Sequence, residues 1–216
     1  MGQDAAAALV LASSSATRLR VLRGAGIDPE VIASNVPETF EAGLGTAAAV
    51  EVLAERKASA VASQRPGALV LGCDSLLDVD QVAFGKPVSA EHARRMWQQL
   101  SGREATLCTG HCLIDGRTGR RLRAVARTVV RFAEPTRREL AAYLASGEPL
   151  AMAGAFSIDG RGAPFVAGID GDPTNVLGLS LPLLRRMLAD LGVAITDLWG
   201  TPARADRAGW GHARRT

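Results

Sequence analysis

Lysine, cysteine, histidine and aromatic residues are all scarce in this 216-residue chain, and each scarcity excludes something. Cys73, Cys108 and Cys112 are odd in number and lack C-x-x-C spacing, so neither a disulfide framework nor a zinc site is indicated. Reduced thiols of this kind fit a cytoplasmic protein. No apolar run approaches the ~20 residues that span a bilayer, which excludes a membrane span, and no membrane partner is expected. The stretch AAAALVLA is preceded by Asp4 and by no Lys or Arg, so it reads as a first strand rather than a signal-peptide core. Ala6 stands where myristoylation after Gly2 requires Ser or Thr. His92 and His111 have no ligand-spaced partner, and a histidine-centred nucleophile triad has little support. Aromatics make up 4%, too few for a nucleic-acid stacking platform.

Charge excludes more. The net charge is +3, and Arg204, Arg207, Arg214 and Arg215 against Asp206 place all of it in the last residues. A neutral body with a basic end is weak evidence for nucleic-acid binding, so no nucleic-acid partner is expected. Residues 1–200 read as one domain and 201–216 as a basic, flexible tail.

What is present is a succession of helices and strands. Leu9–Ala12 is an apolar strand ending in Ser13-Ser14-Ser15, after which Leu19 and Leu22 recur at helical spacing, with Ser15 as N-cap. A short strand follows at Val31–Ala33. Val50, Leu53, Ala54, Ala58 and Val61 form a helical stripe in which Lys57 takes the place of an apolar residue. Ala68–Gly72 is a strand that Leu76–Val79 extends to a turn at Asp80-Gln81. Ser89 opens a helix, residues 105–114 and 121–132 form a hairpin, and Thr136 with Glu139 makes a capping box. Residues 151–180 read as irregular, with a strand near Phe165-Val166. Pro182 opens a last helix, and Ile195–Trp199 reads as a closing strand. The expectation is an α/β fold, a mixed sheet flanked by helices.

The candidate chemistry is spread along these elements. The serine turn with Arg18 one turn into the helix makes an anion site; read alone, it is also an ordinary N-cap. Asp74 ends an apolar strand, where a carboxylate binds a cation, takes a proton from water, or merely opens a turn. Lys57 and Lys86 are the two lysines against 23 arginines. Where arginine serves for any cation, a retained lysine marks a need for a compact ammonium, or chance. Glu38 after Pro37, and Asp159 in SIDGRG, are acids in turn-forming contexts.

Taken in order, six segments resemble the Maf family of septum-formation-inhibitor-like proteins. They are LASSSATRLRVLRGAGI, AERKASAVA, LGCDSLL, FGKPVSAEHARRMWQQLSGR, YLASGEPLAMAGAFSIDGRG and NVLGLSLPLL. The resemblance implies an elongated fold of two lobes around a central cleft, similar to inosine triphosphatases. It also implies metal-dependent hydrolysis of a nucleoside triphosphate to monophosphate and pyrophosphate, with Mg or Mn as cofactor. By the same resemblance Asp74 activates water, and Ser13, Arg18, Lys57 and Lys86 surround the phosphates. Glu38 and Asp74 lie at the metal, while Thr17, Ser75 and Asp159 match positions associated with the base. The chain departs from the family at Ala16-Thr17 for Pro-Arg, at Ser75 for Thr, at Asp159 for Gln, and at Pro37 for an acid. The alternative function is a nucleotide-binding regulator of septum formation with incidental hydrolysis. A homodimer is left open.

Overall fold

The computed structural model describes residues 8–41 and 43–200. The readings at Gly2, Asp4 and Ala6 and the basic tail 201–216 lie outside the described residues. Seven strands build one mixed sheet: β1 (Leu9–Leu11), β2 (Glu30–Val31), β3 (Leu69–Val79), β4 (Val82–Phe84), β5 (Glu104–Asp115), β6 (Arg121–Phe132) and β7 (Val166–Asp170). Their order is β2-β1-β3-β5-β6-β7, with β4 added beside β3. β1 is parallel to β2 and β3, and the remaining pairs are antiparallel.

The helices are α1 (Ala16–Gly24), α2 (Thr46–Ala62), α3 (Ala90–Leu100), α4 (Arg137–Ala145), α5 (Pro173–Val176) and α6 (Leu181–Asp190). Their starts follow from capping chemistry. Ser15, Ser89 and Ser180 accept a backbone N–H of the first turn, and Thr136 with Glu139 forms the expected capping box. Two readings are corrected. Asp74 lies inside β3, which runs unbroken from Leu69 to Val79, rather than at a strand end; the expected turn at Asp80-Gln81 leads into β4, a short return strand. Ile195–Leu198 is a 3-10 turn, not a strand, because Asp197 accepts the backbone N–H of Ala194 and closes it locally. Trp199 just beyond it makes an isolated antiparallel bridge to Ile27, outside the strands of the sheet.

Two cores lie along the same face of the long strands. Leu69, Leu71 and Cys73 of β3 pack with Leu9, Leu11, Leu22, Leu113 and Leu184 beneath α1 and α6. Further along β3, Leu77 and Val79 pack with Trp97, Leu100, Phe132 and Phe156 beneath α3 and α4. Six of the nine aromatics gather in or against this second core, so the scarce rings are spent on one lobe. Trp97 is their centre, edge-on to Phe132, Tyr143 and Phe165, with its indole N–H donating to the Ala155 carbonyl at 2.9 Å.

The opposite face is covered by α2. Ala54, Ala58 and Val61 pack on Val70, Cys112 and Ile114. The helix comes close because the strands present glycines beneath it. A Cβ on Gly72 would stand 2.3 Å from the Ala54 carbonyl oxygen, and one on Gly110 only 2.1 Å from that of Val50. Gly110 is the cross-strand neighbour of Asp74. These two absent side chains bring α2 down onto the strand that carries Asp74.

Candidate active site

The site sits where the sheet is interrupted. β1 pairs with Leu69–Leu71, and β4 pairs with Leu77–Val79, so one edge of β3 is open between them. Side chains alternate across a strand. Asp74 therefore faces α2, whereas Ser75 faces the side of the two cores, and both border the same gap. A cleft of about 560 Å³ opens there, within the usual range for a small-molecule site. It is walled by Thr17 and Arg18 of α1, Lys57 of α2, Asp74 and Ser75 of β3, and Lys86 after β4. Glu38, Ser157 and Asp159 complete it. Beside it a smaller hollow of about 210 Å³ is lined by Ser13, Ser14 and Ser15 with Arg18, Glu38, Lys57 and Lys86. Every residue singled out from the sequence borders one hollow or both.

Lys57 explains its own break in the apolar stripe. Its side chain is 7% exposed, and its ammonium donates to Asp74 Oδ1 and Glu38 Oε1, both at 2.5 Å. Asp74 is also buried, so a charge pair is held inside the protein at the floor of the cleft. Glu38 is exposed, and its carboxyl is held below the usual value chiefly by the Lys57 hydrogen bond, with Lys86 and Arg18 adding to the field against some desolvation. Next to Asp74, burial pushes the Cys73 thiol up to about 12, so this cysteine is no nucleophile at neutral pH.

Arg18 ties three segments of the chain together. Its Nε donates to the Gly178 carbonyl at 2.8 Å, and its terminal nitrogens donate to Ser13 Oγ and Ser75 Oγ, each at 3.1 Å. A guanidinium has five N–H donors, so two remain for a ligand. Ser75 Oγ also meets Thr109 Oγ1 at 2.9 Å. The first turn of α1 adds open backbone N–H groups, and its cap Ser15 accepts from Arg18 N as expected.

Asp159 comes from the other lobe. Glu148 anchors its loop by accepting the backbone N–H groups of Arg161 at 2.9 Å and Gly162 at 3.0 Å. Ser157 Oγ donates to Asp159 Oδ1 at 2.5 Å, and Arg20 closes an ion pair on Oδ2. Sequence reasoning missed Arg20, Thr109, Ser157 and Glu148. Only Arg20 left a signal: it stands three residues after Thr17, on the same side of α1.

Among the described residues no three His, Cys, Asp or Glu side chains gather as a metal cage, and no helix is long and apolar enough to cross a membrane. A family model for Maf-like proteins matches residues 8–191. A nucleoside triphosphate pyrophosphatase of Streptomyces coelicolor is 58% identical over 193 residues, covering 88% of this chain and 94% of that protein. One from Salinispora tropica is 50% identical, covering 88% of this chain and 87% of that one. Among solved structures, the Staphylococcus aureus Ham1 protein aligns over 58% of this chain and 72% of its own, at 16% identity and a TM-score of 0.37.

Proposed function

The chain belongs to the Maf family, and from that premise we propose that it is a nucleoside triphosphate pyrophosphatase, hydrolysing its substrate to a nucleoside monophosphate and pyrophosphate. The observation that carries the reading is the buried Asp74–Lys57 pair at the gap in the sheet, beside a hollow in which three cations converge. Cleaving a phosphoanhydride needs chiefly positioning and charge neutralisation. The triphosphate takes the hollow of Ser13, Arg18, Lys57 and Lys86, where ammonium groups, guanidinium N–H groups and the amino end of α1 meet its oxygens. The nucleoside then extends towards Thr17, Ser75 and Asp159. Lys57 holds Asp74 by one oxygen. The remaining lone pairs of the carboxylate take a proton from water as its oxygen bonds the α phosphorus, and pyrophosphate departs with the electrons of the broken P–O bond.

Glu38 and Asp74 offer hard carboxylate oxygens 2.5 Å from a shared ammonium. This donor set fits Mg or Mn, which bind through one or two carboxylates together with substrate phosphates. Such an ion would supply neutralisation of charge building on the phosphates. An ionised Asp159 only accepts hydrogen bonds, which favours a base edge with adjacent N–H donors, such as guanine, over a strict uracil or thymine preference. The three cysteines are free thiols, in keeping with a cytoplasmic location.

The test is product identity. Phosphorus NMR of reactions with a nucleotide panel and Mg or Mn should show monophosphate and pyrophosphate in equal amounts. Diphosphate with orthophosphate would refute the reading.

A further inference from the structure

At the nucleoside end of the cleft Asp159, which lines it, is paired with Arg20, which stands just behind that lining, in an ion pair that the proposed mechanism does not use. Arg20 lies one turn beyond Thr17 on α1, and the same terminal nitrogen reaches Thr17 Oγ1 at 3.4 Å and the Asp159 carboxylate. The two partners are 139 residues apart and belong to opposite walls, one on the α1 lobe and one on the loop leading from Phe156 of the aromatic core. Both carboxylate oxygens already have a donor, Ser157 on Oδ1 and Arg20 on Oδ2. Asp159 is therefore not a lone acceptor. It keeps further lone pairs, and Arg20 keeps most of its five N–H donors. The cations that line the smaller hollow are Arg18, Lys57 and Lys86, so Arg20 is not part of the phosphate set.

We propose that Arg20 is a specificity-determining residue, the donor half of a base reader whose acceptor half is Asp159. The pair selects bases carrying a carbonyl beside a ring N–H (guanine, hypoxanthine, uracil, thymine) over the amino bases adenine and cytosine. The order of the two groups along a base edge is fixed because they come from opposite walls. A carbonyl meets the guanidinium and the neighbouring N–H meets the carboxylate. An amino base reverses that order, so its NH2 faces the guanidinium and its bare ring nitrogen faces the carboxylate. Two mismatches against the bound base then cost more than one lost contact. The inference rests on the placement of the nucleoside at this end of the cleft.

The experiment measures kcat/KM for pyrophosphate release, and equilibrium binding by calorimetry, for GTP, ATP, UTP and CTP. The proteins are wild type, Arg20→Ala, Arg20→Lys and Asp159→Asn. Wild type should prefer GTP over ATP and UTP over CTP. Arg20→Ala should shrink both ratios about tenfold or more, the scale of one hydrogen bond to a charged group, and act mainly through KM. Its melting temperature should stay unchanged, since the Arg20 side chain is 62% exposed. Arg20→Lys should restore part of the preference. Unchanged ratios in Arg20→Ala, or a wild type that favours amino bases, would overturn the proposal. If wild type released no pyrophosphate, the enzymatic reading alone would fall, and the binding ratios would still decide on Arg20.

Discussion

Replacing Lys57 by Met keeps an unbranched side chain one atom shorter and deletes its charge. The ammonium lies between a buried carboxylate, Asp74 at 9% side-chain exposure, and an exposed one, Glu38 at 59%. The Glu38 contact is screened by water and contributes little. The Asp74 contact is different, because removing one member of a buried pair leaves the other uncompensated, at about 3–5 kcal/mol. For a chain of this size that corresponds to a fall in melting temperature of roughly 6–20 °C. Asp74→Asn leaves the ammonium with Glu38 and should cost less, roughly 1–3 kcal/mol. Once Asp74 is neutral, Met at 57 no longer strands a charge. The double variant should therefore be more stable than the sum of the single losses predicts, by at least about 1 kcal/mol. Urea denaturation of the four proteins measures this coupling. Losses that add to within about 0.5 kcal/mol would refute the buried pair as the organiser of the cleft floor.

Three further outcomes follow from the packing. His111 is fully buried, donates from Nδ1 to the Thr109 carbonyl and accepts the Ser180 N–H at Nε2; burial above all, with Arg18 assisting, lowers its pKa to about 4. The unfolded chain binds this proton more readily, so the stability is complete above pH about 6.5 and is lost as pH falls towards 4, amounting to about 3 kcal/mol; urea midpoints of wild type and His111→Gln across that range check it. Gly110→Ala places a methyl against the Val50 carbonyl and should lift α2 from β3, costing about 1–3 kcal/mol and lowering turnover by moving Lys57 from Asp74, as paired melting and rate measurements would show. Lys86→Arg should lower kcat/KM despite the conserved charge, since a planar fork replaces a compact ammonium at the smaller hollow, where we place the phosphates; an unchanged value would mean any cation suffices there.

Much of this architecture was legible in the residues. Hydrophobic period located α2, and Ser15, Ser89 and Thr136, which settle first turns through neighbours three residues away, located α1, α3 and α4, with Pro182 marking α6. Lys57 was visible as a charge in an apolar stripe, and Asp74 as an acid at the end of an apolar run. Their pairing was not visible, because it depends on how closely α2 approaches β3, and that distance is set by glycines at 72 and 110. Those read only as small residues until the helix lies over them. The Arg20–Asp159 contact joins two lobes and has no local signature. Ile195–Trp199 misled because its apolar residues suit a strand as well as a 3-10 turn, and the choice was made by the Asp197 cap.

The central claim is that Asp74, held by Lys57 at the gap in the sheet, turns water onto the α phosphorus of a nucleoside triphosphate. Its most direct test is hydrolysis in water enriched in heavy oxygen, comparing wild type with Asp74→Asn while nucleotide binding is followed in parallel. The account predicts the label in the monophosphate and none in pyrophosphate, with the Asn variant slower by about 10²–10⁴ although it still binds nucleotide. Label in pyrophosphate, or an Asn variant that turns over at the wild-type rate, would contradict it.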